Sequence, residues 1–144
     1  MTKFRFYAKL TEKGLSIHDR IGFLEAIKKF GDKGVWLEVQ PVKEWHSDQQ
    51  RAYYFGVVVD LLAKNSGDTK DDMHQILKRL FLGRVIERFN KKILIPGSTK
   101  LLSKGEFADY ITKCINLATE FGVMIPTPEE YYQGIEVDIN GENG

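Results

Sequence analysis

The sequence predicts a single α+β domain, in which three to four helices pack with a small sheet and a basic β-hairpin. Three observations predict it. Apolar residues recur at spacings of three and four in several segments, they alternate with a period of two in others, and breaks containing Gly or Pro separate these segments. With 144 residues, 42% of them hydrophobic, the chain is long enough to bury a substantial core.

Helices are predicted most clearly in the second half of the chain. Three apolar segments of helical period each begin with a capping box, in which a Ser or Thr stands three residues before an acid or an amide. The three pairs are Ser47 and Gln50, Thr69 and Asp72, and Ser103 and Glu106. Gly83 and Gly122 are expected to end the second and third of these helices.

The N-terminal region, residues 1–42, has the pattern of a βαβ unit. Residues 3–10 alternate apolar and polar side chains, as a half-buried strand does. A helix is expected from Ser16 to about Phe30, and Val35–Val39 has the composition of a second strand. If the two strands pair in parallel, their connection is expected to be right-handed.

The domain is predicted to span residues 1–133, and its part at 43–133 is helical apart from the hairpin at 84–95. Residues 129–144 contain five acids and no cation. The last of them, 134–144, are rich in Asn and Gly as well, which is typical of a flexible tail. The sequence therefore predicts one domain followed by an acidic, flexible tail.

Positive charge is concentrated around the predicted hairpin, whose strands are expected at 85–86 and 93–95 around a turn near Asn90. Residues 78–104 contain eight cations and one acid, Glu87. The cations are Lys78, Arg79, Arg84, Arg88, Lys91, Lys92, Lys100 and Lys104. Such a concentration is typical of proteins that bind polyanions, although ordinary solvated faces also show it.

A nucleic acid is the polyanion that this pattern favours. A two-stranded ribbon with a charged turn can grip phosphates or enter a groove, and the Ser98-Thr99-Lys100 loop leads toward a helix N-terminus, which suits a phosphate. Phe89 and the run 53–55 (Tyr, Tyr, Phe) offer stacking surfaces for single strands, although each also fits a packed position. No exposed basic helix carries Asn or Gln at base-reading spacing, so binding without sequence preference is expected.

Catalytic residues are harder to find. The chain has no glycine-rich nucleotide loop, no nucleophile elbow and no Cys-x-x-Cys motif. Asp71, Asp72 and His74 are the best candidates for a metal-dependent nuclease site, but acids in the first turn of a helix are also favoured by its dipole. We therefore expect a binding protein that needs no cofactor or metal, with a magnesium-dependent structure-specific nuclease as the alternative.

The expected location is the cytoplasm. Cys114 is the single cysteine, which excludes an intramolecular disulfide and fits a reducing compartment, and its apolar helical neighbours predict a core position. No apolar run approaches the roughly 20 residues of a membrane helix, and the charged, aromatic start is unlike a signal peptide. No contact with a membrane is expected.

Three ordered segments resemble the NinB/Orf family of phage recombination proteins. They are Trp45–Val58, with Gln50 at a motif position, Asp72–Lys78, and Ser98–Tyr110, with Ser98 and Thr99 at motif positions, followed by Ile-Pro-x-Pro-Glu at 125–129. The likeness spans about residues 36–130. Arg51 departs from it, because the family has an Asn after the Gln.

The resemblance implies a homodimer that binds single-stranded and duplex DNA and assists homologous recombination in a phage-infected or prophage-bearing bacterial host. It also implies contacts with a single-strand-binding protein or a recombinase. A further alternative remains open from the residues alone, namely a phage adaptor that binds a host protein without touching DNA.

Overall fold

A computed structural model of the chain describes residues 3–41 and 47–131. Within these residues it has the predicted α+β fold, with five α-helices and two antiparallel two-stranded sheets. The expected small sheet is therefore two separate hairpins. The acidic tail predicted at 134–144 lies outside the described residues. No described helix has the length and apolar character needed to cross a membrane.

The first helical part of the core is one continuous rod made of three pieces. They are α2 (Ser47–Tyr53), a π-helix (Tyr54–Val59) and α3 (Asp60–Ser66). Three consecutive valines at 57–59 are all buried, so the core covers this part of the rod on more than one side. The π-helix thus contributes these valines and Tyr54 to the hydrophobic core.

Two further helices pack against this rod. They are α4 (Lys70–Leu82) and α5 (Lys104–Glu120). Thr69 caps α4 by accepting a hydrogen bond from the backbone N–H of Asp72, and Ser103 forms a complete capping box with Glu106 on α5. Both predicted N-termini are thus confirmed, as is the end of α4 at Gly83. Cys114 is fully buried in the core, as its neighbours predict.

The βαβ prediction for the N-terminal region is wrong. Only the end of the expected strand is paired: β1 (Ala8–Thr11) forms an antiparallel hairpin with β2 (Gly14–Ile17). A two-residue turn closes at a far smaller entropic cost than a crossover connection of some twenty residues. Because β2 uses the residues expected to start the helix, α1 runs from Arg20 to Lys28 with Asp19 as its N-cap.

The remaining parts of the predicted βαβ unit are extended but unpaired. Residues 35–39 have no strand partner in the described chain. Residues 3–7 dock on α5 through a side chain, because the Asn116 amide accepts from the backbone N–H of Arg5 at 2.8 Å and donates to its carbonyl at 2.6 Å. One side-chain amide thus takes the place of a neighbouring strand.

Candidate nucleic-acid interface

The predicted basic hairpin is confirmed. It consists of β3 (Arg84–Arg88) and β4 (Lys91–Ile95), which pair in antiparallel fashion, and we refer to residues 84–95 as the basic arm. None of its side chains belongs to the hydrophobic core or packs against it. At about 3.4 Å per residue, five paired residues give an arm roughly 17 Å long. The arm therefore projects from the helical body.

Two glycines fix the base of the arm against α4. A Cβ atom at Gly83 would collide with the carbonyl oxygen of Arg79, and a Cβ atom at Gly97 would lie 2.6 Å from the carbonyl oxygen of Leu82. Only glycine allows backbones to approach this closely. Both ends of the arm are thus held against the last turn of α4, so that the direction in which the arm leaves the body is set by α4.

The pleat sorts the cations of the arm onto two faces. Arg84 and Arg88 share one face with Lys91, because alternate residues and directly opposed residues point to the same side. Lys92 lies on the other face, directly opposite Glu87. The structure therefore places three of the four arm cations on one face of the arm and Lys92 on the other.

Two like charges face each other at the tip. Arg88 is the direct cross-strand neighbour of Lys91, an arrangement that destabilises a sheet unless something else stabilises it. The Arg88 guanidinium donates to the backbone carbonyl of Glu87 at 2.8 Å, so its only hydrogen bond within the described chain leaves its charge uncompensated. A phosphate placed between the two cations would remove this repulsion.

None of the eight predicted cations forms an ion pair with a described carboxylate. Cations elsewhere do, and they are Lys3, Arg5, Lys29, Lys64 and Lys113. Seven of the eight are exposed, and Lys78 is half-buried beside His74. Their charge is therefore available to a ligand rather than used by the protein's own acids in the described part.

Phe89 occupies the tip of the arm, between Arg88 and Asn90. Its side chain is 93% exposed, so packing beneath the hairpin is excluded. Phe89 and Asn90 both have positive φ, at 55° and 59°, as a type I′ turn requires. Asn tolerates this conformation, whereas a bulky aromatic residue rarely adopts it. The backbone at Phe89 is therefore strained, and its ring is exposed to solvent beside two cations. Packing within the described chain does not account for either feature.

The other predicted stacking residues are not available to a ligand. Tyr53 and Tyr54 are fully buried, and Phe55 is half-buried against the core. The hydroxyl of Tyr53 donates to the backbone carbonyl of Pro126 at 2.6 Å. The expectation that this run stacks on bases is therefore wrong, because all three rings belong to the helix packing.

The Ser98–Lys100 loop also differs from its expected role. The N-terminus of α5 already holds a carboxylate, since Glu106 accepts from the backbone N–H of Ser103 at 2.9 Å, and this bond lowers the pKa of Glu106. Thr99 is buried, and Ser98 accepts from the backbone N–H of Lys100. The capping box thus uses two backbone N–H groups at the helix end that is predicted to bind phosphate, and Lys100 and Lys104 stay exposed beside it.

Gln50 has a structural role. Its side chain is buried, and its amide donates to the backbone carbonyl of Lys104 at 3.1 Å. This bond joins α2 to the first turn of α5. The sequence places Gln50 in a capping box and in a family motif, and neither pattern indicates this partner 54 residues away.

Asp71, Asp72 and His74 do not form a metal site in the described structure. Asp71 and Asp72 are exposed in the first turn of α4. His74 is half-buried, and its Nδ1 lies 2.7 Å from the hydroxyl of Tyr54. No three His, Cys, Asp or Glu side chains among residues 3–41 and 47–131 come close enough together to hold a metal ion. The alternative nuclease site gains no support from this geometry.

His74 belongs instead to a buried chain of polar groups. The hydroxyl of Tyr54 lies 2.7 Å from both His74 Nδ1 and the hydroxyl of Tyr110. Burial raises the pKa of both tyrosines, so they stay protonated. Burial, followed by the charge of Lys78, lowers the pKa of His74 from 6.5. The chain thus links α4, the π-helix and α5 with neutral groups.

We expect the free energy of unfolding to fall as the pH drops below about 6.5. Above this pH His74 is neutral in both states and contributes nothing to the pH dependence. Below it the unfolded chain binds a proton that the folded chain resists, because the folded pKa is lowered, and this favours unfolding. Urea midpoints measured between about pH 5.5 and 7.5 should show the decline.

A His74→Asn variant should reduce this decline, since its amide oxygen can still accept from Tyr54. The matched control is His18→Asn, because His18 is more than half exposed and is not part of the chain formed by His74, Tyr54 and Tyr110. An equal pH slope in the wild type and in His74→Asn would contradict the role given to His74.

The fold and the site together define a small α+β protein that presents a basic, aromatic-tipped β-arm from a three-part helical core. No family model, curated protein or solved structure matches the chain. The resemblance to the NinB/Orf family therefore stays a prediction.

Proposed function

We propose that the protein binds single-stranded and duplex DNA without sequence preference through the basic arm. The observation that carries this proposal is the arm tip, where Arg88 and Lys91 face each other without a described carboxylate partner beside the exposed Phe89. Paired cations suit a phosphate, and an exposed ring suits the face of an unpaired base. Both are features that DNA of any sequence offers.

The dimensions of the arm also support this function. A duplex major groove is about 12 Å wide and 8.5 Å deep and admits a two-stranded ribbon, so an arm of roughly 17 Å can bring its tip to the groove floor. Arg84, Arg88 and Lys91 would then line the phosphate-facing side. Binding would release counterions from the DNA, and the affinity would fall steeply with added salt.

The biological setting that we propose comes from the family resemblance. In it the protein is a cytoplasmic factor in a phage-infected or prophage-bearing bacterium, acts as a homodimer and assists homologous recombination. Binding that tolerates every sequence and accepts single strands suits such a role, because recombination intermediates expose unpaired DNA at arbitrary positions. A single-strand-binding protein or a recombinase is the expected protein partner.

The test is a binding titration with fluorescently labelled single-stranded, duplex and branched DNA at low salt, with and without magnesium. We expect binding to all three and a linear fall of log affinity with log salt. The absence of binding to any of them would contradict the proposal. Cleavage that depends on magnesium and is lost in Asp72→Ala would instead establish the nuclease alternative.

Replacing Phe89 with alanine is expected to weaken single-strand binding more than duplex binding. Loss of one stacked base costs about 1–3 kcal/mol, whereas the phosphate contacts remain. Fluorescence anisotropy with a single-stranded homopolymer and a blunt duplex measures both. Phe89→Tyr is the control, because it keeps an aromatic ring and should retain affinity. An unchanged single-strand affinity in Phe89→Ala would rule out stacking at the tip.

A further inference from the structure

Residues 35–39 form an extended segment whose side chains are exposed and whose backbone has no hydrogen-bond partner among the described residues. The sequence Val-Trp-Leu-Glu-Val has strong strand propensity, yet Trp36 is 98% and Val39 96% exposed. None of the backbone N–H or C=O groups of 35–39 forms a hydrogen bond with a described residue. A solvated, unpaired strand of this composition is a surface for pairing with another strand.

The β1–β2 hairpin lacks a third strand along the outer edge of β1 in the described chain. It contains only two strands of four residues, and every residue of β1 is exposed. Isolated two-stranded hairpins are marginally stable, whereas a third strand provides a sheet with independent stability. The free edge of β1 can therefore accept the strand that residues 35–39 can provide.

The side-chain patterns of the two segments match face for face. Cross-strand pairing places Leu10 with Leu15 on the apolar face of the hairpin and Lys9 with Ser16 on the other. In an added strand, Val35, Leu37 and Val39 would extend the apolar face. Trp36 and Glu38 would then fall on the face of Lys9, where a carboxylate and an aromatic ring both favour a neighbouring ammonium group.

We infer that two copies of the chain associate by strand addition, with Val35–Val39 of each copy pairing along the β1 edge of the other. The occupant is a second copy, because one chain carries both halves of the interaction and, among its described residues, does not pair them with each other. A twofold arrangement then satisfies both strands and both edges and closes the assembly. The result is two three-stranded sheets joined across the twofold axis.

This interface is separate from the basic arm and does not depend on the proposed DNA binding. It adds a surface to the homodimer expected from the family resemblance. Variants of the arm are therefore expected to leave association unchanged, and variants of residues 35–39 are expected to leave the arm intact. Failure of the proposed dimer interface can therefore be distinguished from failure of the proposed DNA binding.

The first test is sedimentation of the full chain over a range of concentrations, with Leu37→Pro as the variant. Proline removes a strand hydrogen-bond donor at an exposed position, so we expect dimer dissociation to become at least about tenfold easier with no change in the melting midpoint of the monomer. A wild type that is monomeric throughout, or a dimer indifferent to Leu37→Pro, would overturn the inference.

The second test is a charge exchange. Lys9→Glu and Glu38→Lys should each raise the dissociation constant of the dimer about tenfold, because each change affects both equivalent Lys9–Glu38 pairs. The double variant exchanges the two charges and should restore the affinity of the dimer. The controls are Lys13→Glu and Glu12→Lys, which make the same charge changes in the hairpin turn, beyond the paired residues. Equal effects of the turn variants, or no recovery in the double variant, would also overturn it.

Discussion

Replacement of Arg84, Arg88, Lys91 and Lys92 by alanine is expected to weaken DNA binding by about tenfold or more at roughly 100 mM salt. Each phosphate that a cation neutralises releases counterions, so removing several cations lowers the affinity and flattens its salt dependence. The slope of log affinity against log salt should fall by about 0.9 for each duplex phosphate that the variant no longer neutralises. The salt titration thus measures how many phosphates the arm neutralises.

Because the arm cations lie on two faces, the single variants are expected to differ in their effect on DNA affinity. Arg88→Ala and Lys91→Ala should each have a larger effect than Lys92→Ala, because Lys92 lies opposite Glu87 on the other face. Losing either member of the like-charged pair should also relieve repulsion in the free protein. Equal effects of Lys92 and Lys91 would show that binding does not distinguish the faces.

The matched control removes the same charge from elsewhere on the protein. Lys13, Lys28, Lys33 and Lys70 are exposed, lie outside the arm and make no ion pair with a described acid. Their fourfold replacement by alanine should change affinity much less than the arm variant does. Similar losses in both variants would mean that overall charge, rather than the arm, governs binding.

Replacement of Leu77 by alanine is expected to lower the free energy of unfolding by about 2–5 kcal/mol. Leu77 is fully buried on α4 and belongs to the core that α4 shares with the π-helix and α5. Truncation removes buried methyl groups and leaves a cavity that the neighbouring helices fill only in part.

Leu80→Ala is the matched control, three residues later on the same helix. Its side chain is 57% exposed, so the loss should be well under that of Leu77→Ala and close to the half kilocalorie or so of an ordinary surface change. Urea unfolding followed by circular dichroism measures both variants. Similar destabilisation of the two would contradict the placement of α4 against the core.

Local signals in the sequence located much of the candidate site. The hairpin was predictable because two short apolar strands flank a turn at Asn90, and the charge of the arm can be counted directly. The division of its cations was also present in the sequence, since the pairing register follows once the turn is fixed at 89–90. The exposure of Phe89 could not be predicted from the sequence, because an aromatic residue fits a packed turn equally well.

Long-range contacts account for the predictions that failed. The run at 53–55 was expected to stack on bases, but the packing of the π-helix buries its rings. Gln50 bonds a carbonyl on α5, and His74 bonds a tyrosine on the π-helix. No local pattern indicates partners that lie 20 or 54 residues away.

The sequence by itself determined α4 and α5 with their N-caps, the hairpin at 84–95 and the concentration of positive charge, because each depends on residues within a few positions of one another. Only the tertiary structure decided which side chains face solvent. Ile76 and Leu80 share a helical pattern with Leu77 and yet lie on the surface, and Val35–Val39 has strand composition without a described strand beside it. Burial and pairing depend on the neighbours that the fold supplies, and a one-dimensional pattern does not specify those neighbours.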